Sequence, residues 1–147
     1  MEHAASDSDE PVRFDTRVVI LLAPDLLPWQ ELNITAFLAG AIATSAPGLV
    51  GEPYRDADGN EYLPMLRQPT MILTADAALL ASARARALAR EMSVAVYTRG
   101  LFETPHDGAN RAEVARWRAN ELDLVGVGTR GPRNAVDRLV KGARKHD

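Results

Sequence analysis

The run Val18-Val19-Ile20-Leu21-Leu22 constrains the fold more than any other feature of the chain. Successive side chains of a strand point to opposite faces, so five apolar residues in a row describe a strand covered on both sides. Covering both faces takes two further layers, which places the chain in the α/β class. Ala23-Pro24-Asp25 closes the strand, and Pro28 suits the first position of a helix, where its missing N–H would be unpaired anyway. From Trp29 to Thr44 apolar residues run nearly all round that helix, which predicts burial on most sides, within the domain or against a second subunit.

The remainder continues the alternation. Ala46-Pro47-Gly48 stops the helix, and residues 52–66 read as a small hairpin around Asp56-Ala57-Asp58-Gly59-Asn60. That turn shares Asp-x-Asp-Gly with calcium loops but lacks their later acidic ligands, so a plain turn is expected. Thr70-Met71-Ile72-Leu73 is a strand, Asp76 opens a helix reaching about Glu91, and Val94-Ala95-Val96-Tyr97 is another strand. Thr104-Pro105-His106-Asp107 predicts a third helix with Thr104 as its N-cap, Pro105 next, and Val114 and Trp117 on the buried side. Leu122 to Gly128 is the last strand, in which Gly126 and Gly128 mark close approach of a neighbour. Gly131-Pro132 leads into a final helix with an apolar arc of Ala135, Val136, Leu139, Val140 and Ala143. Alternating strands and helices predict a covered, largely parallel sheet.

Charge and composition exclude some classes. Residues 1–15 hold five acids and one base and read as a disordered acidic tail ahead of a domain over 16–147. From Arg130 to Asp147 six bases face two acids, so the last helix carries a basic side able to meet an anion or a nucleic acid. A solvated face with cations at the favoured end of the dipole is the plainer reading. The chain has no cysteine, hence no disulfide or thiolate ligand, which suits the cytoplasm. Its longest weakly polar run, Ile34 to Ala43, is far short of the ~18 residues of a membrane span, so no membrane partner is expected.

Four stretches together resemble the type II peptidyl-tRNA hydrolases. They are the first strand with Asp25-Leu26 and its helix, Gln68-Pro69-Thr70-Met71-Ile72-Leu73, Met92-Ser93-Val94-Ala95-Val96-Tyr97, and Leu124-Val125-Gly126-Val127-Gly128 with Gly131-Pro132 and Val136-Asp137. The wording Leu32-Asn33-Ile34-Thr35-Ala36-Phe37-Leu38 and His106-Asp107-Gly108-Ala109-Asn110-Arg111 more closely resembles an uncharacterised bacterial family with that fold. The resemblance implies a three-layer α/β/α domain, a central mixed four-stranded sheet beside the small hairpin, and a homodimer. It does not imply the reaction. The hydrolases have a lysine- and glycine-rich segment after the Asp-Leu, and a Gln and a His on the helix. Here Leu27-Pro28-Trp29-Gln30-Glu31-Leu32 has no lysine, and the helix has no histidine. Their Asp-Ala-Gly after the third matching strand is replaced by Thr98-Arg99-Gly100-Leu101-Phe102. Ester hydrolysis needs a placed base or polarising cation, and neither carries over.

Open α/β sheets bind ligands beyond the carboxyl ends of their strands, which singles out Asp25, Thr98 and Arg130. Asp25 either meets a ligand or caps the next helix. Asn33 and Thr35 lie in an apolar helix and need partners, from backbone, a second subunit or a ligand. His106, one helical turn from Asn110, is the candidate acid or base, or else a solvent-facing residue of a first turn. It has no second His or Cys at ligand spacing, so no metal is expected. Without a phosphate loop, dinucleotide fingerprint or nucleophile elbow, no cofactor is expected either. If the first and last strands lie side by side, Asp25 and Arg130 open onto one hollow beside His106. Three readings follow: a binding module for a small anionic or nucleotide-like ligand, a divergent hydrolase using His106, or a non-catalytic tRNA-binding protein.

Overall fold

The computed structural model describes residues 14–147, and the expected acidic tail over 1–13 lies outside them. Strand β1 (Thr16–Leu22) forms where expected, and Val18 to Leu22 are each no more than 1% exposed. Helix α1 (Pro28–Ala43) follows with Pro28 at its first turn. The short strands β2 (Tyr54–Arg55) and β3 (Glu61–Tyr62) make the expected hairpin, separate from the main sheet. Its turn is organised by Asp56, whose carboxylate accepts from the backbone N–H groups of Asp58 and Asn60, from Asn60 Nδ2 and from Tyr62 Oη–H. Strand β4 (Thr70–Thr74), helix α2 (Ala77–Ala89) and strand β5 (Ser93–Thr98) come next. Asp76 caps α2, its carboxylate accepting from the Leu79 N–H at 2.9 Å.

Beyond β5 four expectations need correction. A 3₁₀ turn, Arg99–Glu103, occupies the chain ahead of the third helix, and Thr104 closes that turn by donating to Leu101 O. Helix α3 (Asp107–Ala115) is therefore capped by His106 rather than by Thr104, with Nδ1 accepting from the Ala109 N–H at 3.1 Å. None of its residues is fully buried, and Trp117, expected inside, is exposed. Strand β6 (Leu124–Pro132) runs further than expected, to the start of helix α4 (Arg133–Leu139). Lastly, α4 does not continue to the basic end of the chain. Gly142 at φ +100° turns the backbone, and Arg144–Lys145 form strand β7. Arg144 and Lys145, expected on the basic side of that helix, thus sit on a sheet edge.

Among the described residues the main sheet has five strands in the order β5-β6-β1-β4-β7, not four. Nor is it largely parallel: β1 and β4 are parallel, while β6 is antiparallel to both β1 and β5, and β7 is antiparallel to β4. Alternation of strands and helices does not distinguish a strand entering from the other end of the sheet. The layered α/β architecture itself stands. Helix α1 covers one face through Ile34, Leu38 and Ile42, buried over β6. Each such side chain stabilises by roughly 1.5–3 kcal/mol when buried. Gly126 and Gly128 permit this approach, since a Cβ on Gly128 would lie 3.1 Å from Ile42 Cδ1 and one on Gly126 would overlap Ile34. Helices α2 and α4, packed on each other, cover the opposite face with Leu80, Ala83, Ala87, Val136 and Leu139. No helix among the described residues is long and apolar enough to cross a membrane.

Candidate functional site

Helix α1 is less enclosed than its composition predicts. Only three of its residues are fully buried, while Leu32 is 72% exposed and Trp29 and Phe37 are 55% exposed. Its flank toward β5 and α3 forms one wall of a groove. Asn33 and Phe37 stand one turn apart on that flank, as i and i+4 residues must. Tyr97 rises from β5 to form the floor, and the 3₁₀ turn adds Leu101 and Phe102. The rings meet in sequence: Trp29 to Phe102 at 5.4 Å, Phe102 to Tyr97 at 5.2 Å, and Tyr97 to Phe37 at 5.9 Å between centroids. Edge and tilted contacts of this kind add to the burial energy and hold the rings in place.

Two hollows open along the groove. One, of about 290 Å³, is lined by Asn33, Phe102, Thr104, His106 and Asn110 among others. The other, of about 540 Å³, runs on between α1 and α3 over Ala95, Val96 and Val114. They share Phe37, Tyr97, Leu101 and Asn110 and so adjoin along the groove. Combined, they lie in the size range of small-molecule sites. The surface is apolar with polar groups at one end. Asn33 Nδ2 donates to Tyr97 Oη at 2.9 Å, leaving the tyrosine's own O–H to donate elsewhere. Burial pushes the Tyr97 phenol above its ordinary range, against the smaller opposing effect of the Asn33 bond, so it stays protonated at neutral pH. Thr104 Oγ1 contacts Asn110 Oδ1 and ties α3 to the 3₁₀ turn. His106 uses its Nδ1 lone pair on the Ala109 N–H, so its proton sits on Nε2 as a hydrogen-bond donor.

Asn33, His106 and Asn110 therefore come together, and the other sequence candidates do not join them. Arg130 pairs with Val18 and Ser93, whereas Leu22, at the Asp25 end of β1, pairs with Gly126. Four strand residues, roughly 13 Å at ~3.3 Å each, separate those levels. The common hollow of Asp25, Arg130 and His106 does not exist, because β6 runs antiparallel to β1. Asp25 is exposed, in a left-handed conformation (φ +64°), and does not cap α1. The capping position is Leu27, whose N–H is taken by Gln30 Oε1 at 2.9 Å. Thr35 bonds within its own helix, to Glu31 O at 2.8 Å. Thr98 is 2% exposed and lines a separate hollow with Arg99, Glu113 and Asp123, and its hydroxyl has no partner among the described residues.

The groove residues that the sequence did not single out are aromatic: Phe37, Tyr97 and Phe102. Phe37 reads as core in a helix that looks apolar all round, and Tyr97 as the end of a buried strand. The available signal was Asn33 one turn before Phe37, a polar residue on the stripe that the groove exposes.

No curated protein matches the chain at a significant level. Among solved structures, a protein of unknown function from Agrobacterium tumefaciens strain C58 is 37% identical. It superposes with a TM-score of 0.88 over 92% of this chain and 100% of its own. The match thus extends over sheet, helices and groove alike. A family model described as "Protein of unknown function (DUF2000)" matches residues 16–146, and the chain belongs to that family.

Proposed function

We propose that the folded unit, residues 16–147, binds a small uncharged molecule carrying a planar ring in the groove between α1, β5 and α3. The observation that carries this reading is the aromatic row Phe37–Tyr97–Phe102 beside the polar end made by Asn33, His106 and Asn110. A ring stacks or edges against the row, and its heteroatoms meet the Tyr97 O–H, the Asn33 amide and the His106 Nε2–H. The anionic part of the sequence expectation is set aside, because Arg130 stands at the far end of the sheet. Arg111, which borders the larger hollow, is paired with the Asp107 carboxylate. His106 serves as a donor and not as a base, since neither ring nitrogen has a free lone pair in this arrangement.

The test is a titration of indole, adenine, adenosine and phenol, followed by amide shift changes and calorimetry. One of them should perturb residues 33–37, 97–102 and 106–110. Phe37→Ala or Asn33→Ala should weaken that ring at least tenfold, about 1.4 kcal/mol, and Arg130→Ala should leave binding unchanged. Undiminished binding in both groove variants would overturn the reading. A homodimer through the outward face of α1 is proposed as well, supported by the exposure of Leu27, Trp29 and Leu32. Sedimentation of the wild-type chain beside Leu32→Glu tests it, and monomers in both would end it.

A further inference from the structure

On the other flank of α1 lies a cluster that the groove does not use. Thr74, the last residue of β4, places Oγ1 2.8 Å from His146 Nδ1. His146 Nε2 is 3.2 Å from Glu31 Oε2, in the first turn of α1. Thr74 is 5% exposed, and the side chains of His146 and Glu31 are 23% and 26% exposed. His146 is held from the backbone too, its N–H donating to Ile72 O at 3.3 Å.

The place matters as much as the distances. The chain leaving β1 turns to the face covered by α1, and the chain leaving β4 turns to the face covered by α2. Thr74 pairs with Leu22, so both parallel strands end here. The border of two parallel strands whose connections diverge is where open α/β sheets leave a crevice beyond their carboxyl ends. The protons follow from the donors available. An ionised carboxylate can only accept, so Glu31 takes the His146 Nε2–H, which turns the Nδ1 lone pair toward the Thr74 O–H. A hydroxyl, an imidazole and an orienting carboxylate in series is the arrangement that activates a weak oxygen nucleophile.

We propose that Thr74, His146 and Glu31 form an acyl-transfer site for small activated esters, with Thr74 as nucleophile, His146 as general base and Glu31 as positioning residue. Thr74 Oγ1 attacks the ester carbonyl as its proton passes to His146 Nδ1. The tetrahedral adduct collapses, the C–O bond to the alcohol breaks, and the leaving oxygen takes that proton. Water then attacks the acyl-threonine carbonyl, giving a proton to Nδ1; the bond from the acyl carbon to Thr74 Oγ1 breaks, the carboxylic acid leaves, and the proton passes from Nδ1 back to Oγ1. The near-complete burial of Thr74 limits the acyl part to a small group.

The experiment treats the full chain with p-nitrophenyl acetate, following p-nitrophenolate release and the mass of the peptide containing Thr74. The expected result is a burst with one acetyl group on Thr74. His146→Gln should slow acetylation about 100-fold, the scale of general-base catalysis. Glu31→Gln should lower the acylation rate constant while leaving the half-saturating ester concentration unchanged, a split that a purely structural role would not produce. Thr74→Ser should keep the reaction and Thr74→Val abolish it, with thermal midpoints recorded alongside to verify folding. Acetylation confined to lysines in the wild-type chain would overturn the proposal, as would equal Thr74 acetylation in a folded His146→Gln protein.

Discussion

At the scale of single residues, glycines with similar sequence context have opposite consequences. Gly126 lies under α1, and a Cβ there would overlap Ile34 and come within 3.1 Å of Leu38 Cδ1. Overpacking of that kind costs about 1–3 kcal/mol, so Gly126→Ala should lower the unfolding free energy by that amount in urea titration. Gly40, inside the same helix, has nothing within 4 Å of its would-be Cβ. Gly40→Ala should raise stability by about 0.5–1 kcal/mol, since alanine loses less backbone freedom on folding. Asp56 makes a different prediction. Hydrogen bonds from Asn60 and Tyr62 chiefly, against a little desolvation, lower its pKa from 3.8 to about 2. A depressed folded-state pKa means that the turn is favoured above the unfolded value and loses this support as pH falls through about 2. Amide shifts of Asp58 and Asn60, followed by NMR from pH 5 downward, should move together with that midpoint.

At the scale of elements, caps decide where helices begin and one glycine decides where the last one ends. Asp76 is a side-chain cap read directly from sequence, and Asp76→Ala should destabilise α2 by about 1 kcal/mol in thermal unfolding. Thr104 and His106 are both able to accept from a backbone N–H, so the sequence alone does not decide which of them caps the third helix. The preceding 3₁₀ turn engages Thr104 and leaves His106 to cap. Helix α4 ends early because Gly142 takes a left-handed conformation that suits the close of a helix. The apolar arc masked that stop, since Ala143 stands where a further helical turn would bury it. Helix α1 was legible in its boundaries but not in its surroundings, because apolar periodicity says which faces are greasy and not which of them are covered.

At the scale of the molecule, the antiparallel course of β6 settles which candidates meet. It sends Arg130 to one end of the sheet and leaves Asp25 at the other. It also sets β6 beside β5, which carries Tyr97 under α1. Strand β7 closes the opposite edge and brings His146 over β4. Truncation after Gly142 should therefore expose the edge of β4 and remove the His146 bonds to Thr74 and Glu31. Hydrogen bonds of this kind are worth about 1 kcal/mol each, so the unfolding free energy should fall by about 1–3 kcal/mol. An unpaired edge strand also templates association, and light scattering should show the truncated chain self-associating at concentrations where the full chain does not.

By itself the sequence determined the local alphabet of the fold: the doubly buried first strand, Pro28 opening α1, the Asp56 turn, the Asp76 cap and the glycines beneath α1. These follow from steric and hydrogen-bonding rules that act within a few residues. Strand direction, the fifth strand and the grouping of Asn33, Tyr97 and Asn110, or of Glu31, Thr74 and His146, were decided by tertiary structure alone. Such groupings join positions tens of residues apart, and only the packing of both sheet faces at once selects which distant side chains become neighbours.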